Sequence, residues 1–196
     1  MGTRPRGRPR SFDRDAALDQ AVRLFWAKGY EATSTRDLAT TLGIGTPSLY
    51  AAFGDKRTLF DEAVEAYMSR YGGYMARALA EEPTAKQAIA RLLHEAAEQH
   101  TRPGRPRGCM LLCADDNTTN TDVARQLRRL RKTDTAMFEQ RIRADIEAGI
   151  LIPDTDAAAL ARYTSAVLQG ISQSARDGAT RHELERVAEL AIQGWP

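Results

Sequence analysis

Three groups of side chains in this sequence are of types that do chemistry. Cys109 and Cys113 lie four residues apart, with Arg105 and Arg107 just upstream. Neighbouring cations lower a thiol's pKa, so the pair admits a redox-sensing role; two inert, buried cysteines are the plainer reading. A disulfide across one helical turn is geometrically awkward, and two sulfurs do not complete a zinc site. His94 and His100, in HEAAEQH, are six residues apart, which does not place both imidazoles on one helical face. No metal and no cofactor is therefore expected. The third group is arginine. RPRGRPR, residues 4–10, carries Arg4, Arg6, Arg8 and Arg10 without an acid, and a near copy, RPGRPRG, spans 102–108. Guanidinium groups on extended, proline-stiffened backbone suit a polyanion, although such runs also occur simply as solvated charge.

The rest of the chain narrows these possibilities. Its net charge is only +2, yet the first ten residues contribute +4, residues 11–70 hold seven basic groups against nine acids, and the remainder balances. A basic tail on a near-neutral body is the pattern of a nucleic-acid arm. With 196 residues, 42% of them hydrophobic, the chain can bury one good core or a small module joined to a larger one. No apolar run approaches the ~20 residues of a bilayer span, and none follows the basic N-terminus as a secretory signal requires. A cytoplasmic location without a membrane partner is expected. No phosphate loop, nucleophile elbow or zinc motif is present, and GIGTPS lacks the lysine and the preceding strand, so no enzyme is expected.

The elements that must position these groups read as helices throughout, an all-α fold. Asp13 or Asp15 caps a helix running to about Ala27; Thr33 or Ser34 caps a short one; PSLYAAF forms a third, with Pro47 in its first turn. Asp55 opens a long helix, KRTLFDEAVEAYMSRYGGYMARALA, ended by Pro83. Further helices are expected from Thr84 to His100, in CMLLCAD, and over about 122–148, 156–176 and 181–193, with RPGRPRG as a wet connecting loop.

The first three helices, the second and third joined by a glycine turn, make a helix-turn-helix pattern. Gly43 must adopt or approach the left-handed conformation, Ile44 must plug the gap, and Leu38, Ala39 and Leu42 must let the helices cross closely. Thr46, Pro47, Ser48 and Tyr50 are then left projecting from the N-terminal end of helix three, the end that enters a major groove.

The stretch TSTRDLATTLGIGTPSLYAAFGDKRTLFDEAVEAY closely resembles the N-terminal domain of the TetR-type transcriptional regulators, over about residues 12–67. Leu38-Ala39, Gly43-Ile44, Leu49-Tyr50, Phe53, Lys56, Leu59 and Ala63-Val64 fall at the family's positions; Ala52 stands where many members carry a histidine. Beside the basic arm over 1–11 read from the charge, the resemblance implies a DNA-binding domain over 12–55 and a helical effector-binding and dimerisation domain over 56–196. It implies that Thr35, Arg36, Tyr50 and Lys56 meet the phosphate backbone of double-stranded DNA, while Thr46, Pro47, Ser48 and Ala51 lie against base edges. Helix three carries no Arg, Asn or Gln, so direct readout leans on hydroxyls and thymine-methyl contact. The arm resembles an AT-hook core, and Arg6 and Arg8 would enter the minor groove beside the main site.

By the same resemblance the protein is a homodimer on a palindromic operator, most simply a repressor released by a small-molecule effector. Leu160, Val167, Gly170 and Ile171, with Leu184, Val187, Leu190 and Ala191, would form the dimer face; ordinary intrachain core is the competing reading. Tyr67, Tyr71, Tyr74, His94, Met110, Cys113, Met137, Phe138 and Tyr163 would line the effector cavity. Two other functions stay open at this level: a redox regulator acting through Cys109 and Cys113, and an architectural DNA-binding protein that senses nothing.

Overall fold

Polar side chains at the expected turns set the helix starts. Asp13 accepts the N–H groups of Asp15 and Ala16 at the head of α1 (Arg14–Lys28). Ser34 and Asp37 form a reciprocal capping box on α2 (Thr35–Thr41), Pro47 sits in the first turn of α3 (Thr46–Phe53), and Asp55 caps α4 (Lys56–Tyr71) through the Thr58 N–H. Caps of this kind each contribute about 1 kcal/mol. After α5 (Gly73–Glu81), Thr84 opens α6 (Ala85–Thr101), α7 is the single turn Met110–Cys113, and Asn120 opens α8 (Thr121–Glu147). Asp156 and Thr180 open α9 (Ala157–Arg176) and α10 (Arg181–Gln193). The structure, a computed structural model, describes residues 12–114 and 118–196; among these the fold is all-α, as expected, and the four arginines of the arm lie outside them.

Two local expectations are corrected. The long helix from Lys56 is two helices, because the adjacent glycines Gly72 and Gly73 weaken it and the chain bends there. The bend requires glycine: a Cβ on Gly72 would lie 2.8 Å from the carbonyl oxygen of Met68. The bend carries Tyr67, Tyr71 and Tyr74 onto the rim of one cavity.

The second correction is the loop RPGRPRG, which is a built joint rather than a wet connection. The Trp26 indole N–H donates to the Gly108 carbonyl at 3.0 Å, and Arg23 donates to the Gly104 carbonyl at 2.7 Å. On the other side, Arg107 donates to the carbonyls of Ala175 and Ala179, and Arg105 to those of Gln99 while lying over the rings of Trp26 and Tyr71. Gly108 has φ +76°, and a Cβ there would fall 2.8 Å from the Ser172 carbonyl oxygen, so only glycine fits.

Two hydrophobic cores result. One joins α1–α4 to α7 and the start of α8 through Phe25, Trp26, Phe60, Met110 and Leu127; the rings of Phe25 and Phe60 meet edge-to-face at 5.1 Å. The other packs α5, α6, α9, α10 and the second half of α8 around Ile89, Leu92, Phe138, Ile142 and Ile171. The loop 102–108 and α7 lie between the two.

Candidate nucleic-acid interface and effector cavity

The turn between α2 and α3 is closed by the N–H of Gly43 on Thr40 and that of Ile44 on Ala39, at 3.2 and 3.1 Å, with Gly43 at φ +64°. Leu38, Leu42 and Leu49 are buried and Ile44 packs against them. That leaves Thr46, Pro47, Ser48, Tyr50 and Ala51 exposed on α3, with Tyr50 46% exposed rather than packed beside Leu49. Arg36 is exposed and Thr35 half-buried at the start of α2. Lys56 is the most constrained of the set: its Nζ lies 4.2 Å over the Tyr30 ring, and burial lowers its pKa against the opposing pull of Glu31. Glu31 is in turn held by the hydroxyls of Thr118 and Thr119, and Arg57 donates to Gln126 at 2.7 Å, so the body grips this face at two points.

Between the two cores lies a cavity of about 260 Å³. Four residues expected there, Tyr67, Tyr71, Tyr74 and Met137, line it. Five do not. Met110 and Phe138 are fully packed core, one position from residues that reach the cavity. Cys113 is buried beside the Ser172 hydroxyl, His94 faces Glu185 on α10, and Tyr163 donates its hydroxyl to the Ala191 carbonyl. Sequence reasoning passed over Asp134, His100 and Cys109, all lining residues. Asp134 could have been found as an acid interrupting the inward stripe Val123, Leu127, Phe138, Ile142 on α8.

This cavity pushes its ionisable groups toward their neutral forms. Burial raises the pKa of Tyr67, Tyr74 and Cys109, raises Asp134 to about 6, and lowers His100 to about 4 with help from Arg105. The activation that the alternative redox role would need is not seen at Cys109: Arg105 and Arg107 are spent on other partners, and burial shifts the Cys109 thiol away from thiolate, in line with the plainer reading of inert cysteines.

The profile of bacterial regulatory proteins of the tetR family matches residues 17–63. Over 97% of the chain and 92% of the relative, the sequence is 34% identical to the HTH-type transcriptional repressor ComR of Escherichia coli K12. The chain belongs to the TetR family. The HTH-type transcriptional repressor BdcR, from the same organism, is 29% identical over 94% of the chain and 88% of its own length. Among solved structures, the TetR regulator CifR, as a cysteine mutant complexed with a 26-bp double-strand operator DNA, superposes with TM-score 0.91 at 39% identity over 96% of this chain and 100% of that one.

The residues of α9 and α10 expected at a dimer face divide between core and surface. Ile171, Leu184 and Ala191, expected at the dimer face, are buried in the chain's own core. Val187 and Leu190 remain exposed, Leu160 and Val167 are half-buried, Gly170 has open space around it, and Tyr163 adds a 41% exposed ring to the same stripe. No helix among the described residues is long and apolar enough to cross a membrane.

Proposed function

We propose that this TetR-family protein is a homodimeric transcriptional repressor that binds a palindromic operator through α3 and leaves it when a small molecule enters the junction cavity. The observation that carries the reading is the helix-turn-helix with its buried leucines and exposed Thr46–Ala51 face, in a chain that superposes on an operator-bound relative over nearly its whole length. Tyr50, Lys56, Thr35 and Arg36 contact phosphates, while Thr46, Pro47, Ser48 and Ala51 meet base edges. The arginines of the arm supply a minor-groove grip and much of the salt-dependent affinity. Dimerisation covers the exposed stripe of α9 and α10, and sets two copies of α3 about 34–36 Å apart.

The joint at 102–108 explains how occupancy reaches the DNA. Tyr67 and Tyr71 of α4 and Leu111 and Leu112 of α7 line the cavity, and both helices pack in the same core as α1. A ligand that separates α4 from α6 tilts the reading head as a unit, and a coupling of about 1–3 kcal/mol lowers operator affinity roughly 5- to 150-fold. Selecting bound sequences from random DNA should return one inverted repeat. Uniform binding to all fragments at physiological salt, or a monomer in solution, would sink the proposal. A chain lacking residues 1–10 should bind the selected operator more weakly and with a shallower salt dependence; unchanged affinity and slope would remove the arm from the interface.

A further inference from the structure

We propose that the effector is a small organic cation, an amine with an apolar body, whose charge is met by the Asp134 carboxylate. This rests on the junction cavity being the effector site. Among the described residues, Asp134 makes no hydrogen bond and no ion pair, although it lines the cavity with Tyr71, Tyr74 and His100. A half-buried carboxylate without a partner is costly, and its burial already pushes its pKa up to about 6. At neutral pH it is nonetheless mostly ionised, and a ligand cation would supply the missing charge.

Three further observations agree. His100 is 3% exposed, and its Nδ1 has no hydrogen-bond partner. The same burial keeps the ring neutral, and a neutral imidazole with its proton on Nε2 offers Nδ1 as an acceptor to an ammonium N–H. The walls are electron-rich: tyrosine rings attract cations, and the thioethers of Met68, Met75 and Met137 adapt to an apolar body. Among the described residues, no lysine or arginine lines the cavity. A carboxylate, phosphate or acyl-thioester effector would therefore meet Asp134, while the nearest described guanidinium, Arg105, lies behind the Tyr71 ring and is already bonded to Gln99. The volume, about 260 Å³, is below the ~300–1,000 Å³ usual for drug-sized ligands, so the amine is small.

The charge also supplies the pull. Asp134 is on α8, while the aromatic wall belongs to α4 and α5, so a cation bound between them draws α8 toward the helix that carries the reading head.

The test uses the full chain and two probes of one skeleton, benzylammonium and benzyl alcohol. Binding is followed through the methyl resonances of Met68, Met75 and Met137 and through release of the selected operator. Benzylammonium should shift those methyls and bind at least ~10-fold tighter than benzyl alcohol, with the preference lost in Asp134→Asn. Lowering the pH from about 7.5 to about 5 should weaken benzylammonium binding about ten-fold in the unsubstituted protein, as Asp134 takes a proton. Of the other groups facing the cavity, Tyr67, Tyr74 and Cys109 are shifted upward and stay protonated, His100 is held neutral, and Tyr71 is a third phenol. Equal binding of the two probes, or a preference that survives both Asp134→Asn and low pH, overturns the cation while leaving the cavity as effector site. Methionine methyls that respond to neither probe overturn both.

Discussion

Helix α8 turns two carboxylates inward, and they meet opposite surroundings. Asp145 is 2% exposed and fully engaged: it accepts the N–H of Ala85 at the head of α6 at 2.6 Å, and it pairs with Arg141, which also reaches the carbonyls of Glu82 and Pro83. Asp134, three turns earlier, has nothing of the kind. The same residue type on the same helix is thus a cap and clamp at one end and an unmet charge at the other. Burial alone does not distinguish a structural carboxylate from a functional one; the presence or absence of partners does.

The sharpest way to break this contrast is Asp145→Ala. Removing one half of a buried pair strands Arg141 and uncaps α6, and a loss of about 3–5 kcal/mol is expected in urea unfolding. A loss below ~1 kcal/mol would mean that Asp145 is no more structural than Asp134.

Gly108→Ala tests whether the frame around Asp134 is as rigid as the joint suggests. Left-handed backbone and the 2.8 Å approach to the Ser172 carbonyl should together cost about 3 kcal/mol, read as a fall in melting temperature.

The pH dependence carries the next effect. His100 has a folded pKa of about 4, below its ordinary 6.5, so the folded state holds fewer protons than the unfolded one in that window. The stability due to the neutral ring is complete above about pH 6.5 and is lost as pH falls toward 4, by an amount on the order of 3 kcal/mol. His100→Gln should flatten that acid limb; an unchanged limb would show that His100 titrates normally.

Asp134→Asn should do the reverse of Asp145→Ala. The folded pKa is raised, so the folded state binds more protons between about pH 4 and 6, and stability declines as pH rises through that window. Replacing the carboxyl should therefore stabilise the ligand-free protein above pH 6, by about 1 kcal/mol after allowing for partial solvent access, and leave it unchanged below pH 4. Destabilisation at neutral pH would point to a partner for Asp134 and erase its difference from Asp145.

The contrast also marks where sequence reasoning reached its limit. Helix starts were legible, to within the pairs Asp13/Asp15 and Thr33/Ser34 and at Asp55 and Thr84, because such caps act on N–H groups two or three residues away. The helix-turn-helix was legible for the same reason, Gly43 and Ile44 being local requirements. The bend at Gly72 was written in the Gly-Gly pair but lost in a continuous helical period. The joint at 102–108 was not legible at all, since its bonds join Trp26 to Gly108 and Arg107 to Ala175, partners some seventy to eighty residues apart. In the cavity, Tyr67, Tyr71, Tyr74 and Met137 follow from aromatic and thioether side chains on inward faces. Met110 and Phe138 show that such a stripe cannot tell a lining position from a packed one a residue away. Asp134 and His100 needed the three-dimensional arrangement, because only there does a lack of partners become visible.

Trp26 has one more use. Its indole is 2% exposed, bonded to Gly108 and set edge-to-face against Tyr67 at 4.9 Å, on the seam between head and body. The chain therefore holds a native optical probe on the part that the proposed mechanism moves. Any effector that shifts the head should change the colour and polarisation of Trp26 emission before a single label is attached, and replacing Trp195 with phenylalanine would leave that signal free of background.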